Sequence, residues 1–251
     1  MNPRVVTTPE EYRKIFQKNK NVGFVPTMGA LHDGHAQLLK KSKSECDITV
    51  LSIFINPTQF NNPEDLNKYP KMLEKDLSLA KECGVDIVFL PTNEVLYPDQ
   101  YKFEVREKEL SQLLCGAHRP GHFEGVLTIV LKLLNIIKPQ KAYFGEKDFQ
   151  QLSLIQEMVK SFFIDVEIVP VPTLRESDGL AMSSRNLRLS KDDRQKAPLL
   201  YKYMTELKST DEVQKKLEEN GYRVDYVVDL NQRRFVAAHL GAVRLIDNVA
   251  L

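Results

Sequence analysis

VGFVPTMGALHDGH, Val22 to His35, carries a short apolar run into a loop with two glycines and two of the chain's five histidines. A helical pattern, His35–Ser44, leaves it. A strand ending at Pro26 and passing directly into a helix is the building unit of a parallel α/β sheet. The same alternation recurs downstream. Strand-like runs lie at Ile48–Phe54 (ITVLSIF), Asp86–Leu90, Ala142–Phe144 and Val166–Val171, and helical patterns at Pro70–Cys83, Phe123–Ile137 and Phe149–Phe162. Gly84 and Pro139 stand where the second and third helices should stop. ITVLSIF is apolar almost throughout, as a strand covered on both faces requires. The reading is an α/β parallel sheet with helices on both faces.

The pattern changes after Pro172. A loop, TLRESDGLAMSSRN, leads to Ser190–Asp193, a capping box that opens a helix. A second helix near Asp211–Asn220 and alternating strands at Tyr222–Leu230, Arg234–His239 and Val243–Asp247 complete an α+β unit. Two domains are expected, residues 1–175 and a smaller 176–251, with the loop as hinge.

The chain has 251 residues, 35 basic and 34 acidic side chains and a net charge of +1. That balance argues against a general nucleic-acid binder, so an anionic ligand needs a focused site. Cys46, Cys83 and Cys115 form no CxxC pair and suggest neither a zinc ribbon nor a disulfide framework. No signal-peptide core or membrane-length apolar run is present, and a reduced cytoplasmic protein is expected.

Ligands of open α/β sheets sit beyond the carboxyl ends of the strands, so the loops after each strand carry the functional argument. In the opening window Asp33 is a candidate N-cap and His35 falls in the first helical turn, among backbone N–H groups without intrahelical partners. Such a terminus attracts anions, and Gly29 and Gly34 lack a Cβ that would keep a phosphate away. A zinc site at His32 and His35 would need a third ligand, and no cysteine is near. A bare strand–loop–helix junction and a phosphate site both remain open. The second candidate is Gly145-Glu-Lys-Asp148 with Gln151. Asp148 and Gln151 make a D-x-x-Q capping box that needs no ligand, whereas Lys147 opposes the helix dipole and wants an anionic partner. Met182-Ser-Ser-Arg185 offers two hydroxyls and a guanidinium in what reads as a solvated loop. Asn56 and Gln59 follow the ITVLSIF strand and suit hydroxyl or carboxylate groups. His118 and His122, flanking Arg119-Pro-Gly, could pair on a metal but lack a carboxylate arrangement beside them.

Taken in order, PTMGALHDGH, SIFINPTQF, YP, RPGHFEGV, FGEKDFQQ, SSRN and RLIDN resemble the pantothenate synthetases, the pantoate–β-alanine ligase family, over Val22 to Asn248. The resemblance implies an HIGH-motif nucleotidyltransferase, the motif reading His32-Asp33-Gly34-His35. It also implies a Rossmann-like N-terminal domain, a smaller C-terminal lid and a homodimer. The implied substrates are ATP, (R)-pantoate and β-alanine, joined through a pantoyl adenylate with release of AMP and pyrophosphate; Mg²⁺ is expected with the triphosphate. By motif position, His35, His32 and Lys147 are catalytic. ATP contacts are expected from Met28, Gly29, Ala30, Leu31, His32, Asp33, Gly34 and His35, from Gly145, Glu146, Lys147 and Asp148, and from Met182, Ser183, Ser184 and Arg185. Gln59 and Gln151 match the positions that hold pantoate, and Gln59 also approaches β-alanine. Asp76 is an indirect candidate for the metal. The C-terminal part looks shorter than is common in the family, and Tyr201–Asn231 carries no assignment. A relative that stops at a nucleotide-activated product, and a nucleotide-binding module without catalysis, are the alternatives. Neither explains the two glutamines together with the intact histidines, Lys147 and Arg185.

Overall fold

The structure is a computed structural model that describes residues 2–16 and 19–251. Its strands are β1 (Arg4–Val6), β2 (Val22–Thr27), β3 (Ile48–Ile53), β4 (Ile87–Phe89), β5 (Lys141–Gly145), β6 (Glu167–Val171), β7 (Arg223–Leu230), β8 (Arg233–Leu240) and β9 (Val243–Ala250). The helices before the first long chain crossing are α1 (Pro9–Ile15), α2 (Asp33–Glu45), α3 (Pro63–Asn67), α4 (Leu73–Glu82) and α5 (Asn93–Leu96). Then come α6 (Cys115–His118), α7 (His122–Ile137), α8 (Phe149–Ser161), α9 (Lys191–Lys196), α10 (Leu199–Glu206) and α11 (Thr210–Glu219).

β1 to β6 form one sheet in the order β1-β4-β3-β2-β5-β6, every pair parallel. Successive strand residues face opposite sides, and both sides are covered. Phe24, Val50, Phe89 and Ala142 pack with α1, α7 and α8 on one face. Val25, Leu51, Val88 and Tyr143 pack with α2 and α4 on the other. β7, β8 and β9 make a separate antiparallel sheet with its own core, to which α10 and α11 add Leu200, Met204, Val213 and Leu217. The fold is thus α/β with a small α+β unit at the C-terminus, as expected. Two N-terminal elements were not anticipated, the edge strand β1 and α1.

The strand order places the site. The chain runs from β2 outward to β3 and β4 on one side, while β5 lies against β2 on the other. β2 and β5 therefore flank a switch point, where the helices that follow them diverge and leave a crevice. The loops after these two strands are the ones singled out in the sequence.

Candidate active site

At the end of β2 the backbone turns through Gly29 (φ +79°) and Ala30 (φ +50°), both left-handed. Asp76 of α4, only 2% exposed, holds that turn: its two carboxylate oxygens accept from Ala30 N–H at 3.0 Å and Leu31 N–H at 2.7 Å. A Cβ at Gly29 would come within 2.9 Å of Asp76 Oδ2, so glycine is required there by the carboxylate behind the loop and by its φ. The expectation that Gly29 makes room for phosphate is corrected accordingly. At Gly34 a Cβ would meet the His32 ring at 2.9 Å, so this glycine makes room for an imidazole.

The N-cap of α2 is His32, not Asp33, which lies exposed in the first turn. His32 Nδ1 accepts from Gly34 N–H at 3.2 Å, and His35 Nδ1 accepts from His32 N–H at 3.2 Å. The rings lie 4.1 Å apart. Because each Nδ1 is an acceptor, each neutral ring carries its proton on Nε2. Burial, followed by the Lys147 charge, pushes His32 down to about 4. Burial, then His32 and Lys147, pushes His35 down to about 3. The pair therefore presents neutral Nε2–H donors, and the capping bonds, which occupy both Nδ1 atoms, are incompatible with metal ligation through those nitrogens.

Beyond β5, Asp148 is the N-cap of α8 but makes no side-chain capping bond, so the D-x-x-Q box does not form. Gln151 is left free to face the crevice. Lys147, with its side chain 19% exposed, stands 3.9 Å from Asp148. Asn248 of β9 donates through Nδ2 to the carbonyls of Glu146 and Lys147, both at 2.9 Å, and so fixes the turn from the C-terminal sheet. Met182–Arg185 is not a solvated loop. Ser184 begins a 3₁₀ turn, is 8% exposed, and approaches Tyr69 OH at 3.3 Å. Arg185 and Arg188 both bind Asp65 of α3, Arg185 at 3.0 Å. Burial alone would raise the Asp65 carboxyl, but the two guanidinium groups outweigh it and hold it below the usual range.

These segments enclose a cavity of about 250 Å³. Its wall includes Met28, His32, Gly34 and His35 from the first loop, and Gly145, Lys147, Asp148 and Gln151 from the second. Met182, Ser183, Ser184 and Arg185 complete the polar side, and Gln59 lines it as well. Gly29, Ala30, Leu31, Asp33 and Glu146 lie outside the lining. His118 and His122 do not pair on a metal: His118 stacks near Tyr226, while His122 is bound by Arg119 and the Gln59 carbonyl. Among the described residues no group of three His, Cys, Asp or Glu side chains is placed to hold a metal ion. Asp76, the indirect candidate, has both oxygens committed to the loop backbone.

The sequence profile described as Pantoate-beta-alanine ligase matches residues 4–250. The chain belongs to the pantoate-beta-alanine ligase family. It is similar to the pantothenate synthetase of Bdellovibrio bacteriovorus, at 57% identity over 249 residues, covering 99% of each chain. The pantothenate synthetase of Legionella pneumophila is 50% identical over 240 residues, covering 96% of this chain and 95% of the relative. Among solved structures, the pantoate-beta-alanine ligase of Francisella tularensis, complexed with beta-gamma ATP and beta-alanine, superposes with a TM-score of 0.95 at 42% identity, covering 99% of this chain and 97% of that one. Against the Bdellovibrio family member the chain is full-length, whereas the relative from Caldicellulosiruptor saccharolyticus, 44% identical, aligns over 265 residues and carries residues this chain lacks. Within this pantoate-beta-alanine ligase fold, Asp65 and Asn248 had no role in the sequence reading, and the RPGH turn was given one only as a metal candidate. Asn248 lies in the quoted RLIDN and RPGH was quoted whole, so their signals were present without a contact to explain them. Asp65 sits in a short polar helix and carries no such signal.

Proposed function

We propose that this chain condenses (R)-pantoate with β-alanine at the cost of ATP, forming pantothenate, AMP and pyrophosphate. One observation carries the reading: two neutral Nε2–H imidazoles, Lys147 and Arg185 converge on the same cavity as Gln59 and Gln151. In the first step a pantoate carboxylate oxygen attacks the α-phosphorus, and the bond to pyrophosphate breaks. Charge grows on the non-bridging and leaving oxygens, so stabilisation is electrostatic and positional. His32 and His35 donate hydrogen bonds to those oxygens without giving up protons, and Lys147 and Arg185 supply the positive charge. Ser183, Ser184 and Met182 shape the triphosphate wall, while Gly29–Leu31, Asp33 and Glu146 support it from behind. Gln59 and Gln151 orient the pantoate carboxylate and hydroxyls. The apolar wall of Phe54, Val126 and Val130 suits a carbon bearing two methyl groups. In the second step the β-alanine amine attacks the acyl carbon beside Gln59, and the bond to AMP breaks.

Mg²⁺ enters as part of the MgATP substrate, held through phosphate oxygens and water. We further propose that residues 176–251 act as the lid over residues 1–175, that the protein works as a homodimer, and that it acts in the cytoplasm, where the buried free thiols of Cys46, Cys83 and Cys115 stay reduced. No helix among the described residues is long and apolar enough to cross a membrane. The test is an incubation with MgATP, pantoate and β-alanine that follows AMP and pyrophosphate. Pyrophosphate without β-alanine-dependent AMP would favour a transferase that stops at the activated product. Neither product would refute the enzyme.

A further inference from the structure

The turn Arg119-Pro-Gly-His122 has no step in the chemistry above, yet it is built against Gln59, the glutamine proposed to meet both pantoate and β-alanine. His122 is 7% exposed. Its Nε2 lies 2.9 Å from Arg119 Nη1, and a guanidinium can only donate, so Nε2 accepts. The ring proton is therefore on Nδ1, which donates to the Gln59 carbonyl at 2.9 Å. Arg119 Nη2 donates to the same carbonyl at 3.1 Å.

One turn further along α7, Gly125 packs on the Thr58–Gln59 peptide. A Cβ there would lie 2.7 Å from Thr58 C and O and 2.8 Å from Gln59 N. The Gly125 carbonyl accepts from Asn56 Nδ2 at 3.0 Å, and that nitrogen also donates to Gln59 Oε1 at 3.2 Å. With Oε1 turned toward Asn56, the amide Nε2 points toward Met28 Sδ, at 3.1 Å, on the cavity wall.

We infer that the Arg119–Gly121 turn and the first turn of α7 form a positioning platform for Gln59: Arg119 and His122 grip its carbonyl, and Gly125 sets how closely its peptide can approach. Arg119 and His122 also border the cavity, but their hydrogen bonds to the Gln59 carbonyl make them positioning residues for it, and the inference rests on the reading of Gln59 as a pantoate contact. A one-residue grip of this kind locates a side chain within the few tenths of an ångström that oriented binding demands.

The test compares His122→Ala, His122→Asn and Arg119→Gln with the parent protein. Asn keeps a nitrogen donor at the position of Nδ1, so it can still hold the Gln59 carbonyl, while Ala cannot. In His122→Ala the KM for pantoate should rise by about five- to fifty-fold, the worth of a buried hydrogen bond, with the KM for ATP unchanged. His122→Asn should recover most of that loss. Arg119 is only partly buried, so Arg119→Gln reports on the same carbonyl without disturbing the core, and it too should raise the pantoate KM alone. Equal pantoate KM values for the Ala and Asn variants, or a parallel rise in the ATP KM, would overturn the inference. Amide NMR of the Gln59 side chain, in the parent and each variant, needs no turnover. A shift in His122→Ala that returns in His122→Asn supports the platform even if pantoate is not the substrate, and an unmoved signal overturns it.

Discussion

Asp76→Asn should damage both stability and ATP use, and the size of the effect follows from two hydrogen bonds. The wild-type carboxylate accepts from Ala30 N–H and Leu31 N–H in a buried setting. The isosteric amide keeps one oxygen and puts an NH₂ group where the other stood, facing a backbone N–H. One bond to a charged acceptor is lost, worth about 1.5–3 kcal/mol, and the surviving bond becomes a weaker neutral one. Left-handed Ala30 costs about 1–2 kcal/mol in its own right, and a loosened loop would relax that strain and return part of the loss. The net is a destabilisation of about 2–3 kcal/mol. At this chain length that lowers the melting temperature by about 4–12 °C. Relaxation of Met28–His32 should also move the His32 cap and raise the KM for ATP. Thermal melting followed by steady-state kinetics over a Mg²⁺ series measures both effects. If Asp76 acted on a metal, excess Mg²⁺ would restore the rate. Such a rescue, or a melting temperature within about 1 °C of wild type, would refute the loop-staple argument.

Three further expectations can be checked on the same material. His35→Ala should cut turnover by roughly two to four orders of magnitude, and His35→Asn, which can still accept the His32 N–H, should keep stability but not activity. Near-wild-type turnover in either folded variant would remove the catalytic role. Folding stability should fall between pH 7 and pH 5. His32 and His35 are held near 4 and 3 when folded but bind protons near 6.5 when unfolded, so the unfolded chain takes up protons first. Each such histidine contributes about 2 kcal/mol of loss at pH 5, and a urea midpoint that does not move over this range would contradict it. Asp65→Asn should free Arg185 for the triphosphate, lowering the ATP KM and strengthening inhibition by pyrophosphate; a raised ATP KM would mean that Asp65 positions the arginine instead.

The order of strands and helices was readable because burial on both faces writes long apolar runs into β2, β3 and β4, and the switch-point loops follow from that order. β1 was not readable, since a three-residue edge strand with one buried side chain leaves no run. α1 was readable and missed: Thr8 caps it, Pro9 opens it and two glutamates follow. His32 as N-cap escaped notice because an imidazole is an unusual acceptor in a position where Asp33 offered an ordinary one. Asp76 read as an indirect metal candidate, and only the sheet brings the β2 loop, 46 residues back in sequence, onto its carboxylate. The Asp65–Arg185 pair spans a separation of 120 residues and had no local signature.

The hydrogen bonds that start α2 also decide what the site can do. With both Nδ1 atoms accepting from backbone N–H groups, a second ring proton would meet a donor, so protonation would break the cap as well as charge a buried ring. Among the described residues no carboxylate hydrogen-bonds to either imidazole, and the Asp33, Asp148 and Glu176 charges offset the burial of His32 only in part. The Ala30 and Leu31 N–H groups are likewise turned away, onto Asp76. What this wall can offer a phosphoryl group is therefore two fixed, uncharged Nε2–H donors, and in the proposed reaction the compensating charge would come from Lys147 and Arg185 across the crevice. Arg185 is already paired with Asp65. A triphosphate gains it only by replacing a carboxylate, an exchange between two anions that costs less than bringing a bare guanidinium out of water. In the proposed reaction that exchange would moderate affinity for the nucleotide, and its reverse would ease release of pyrophosphate.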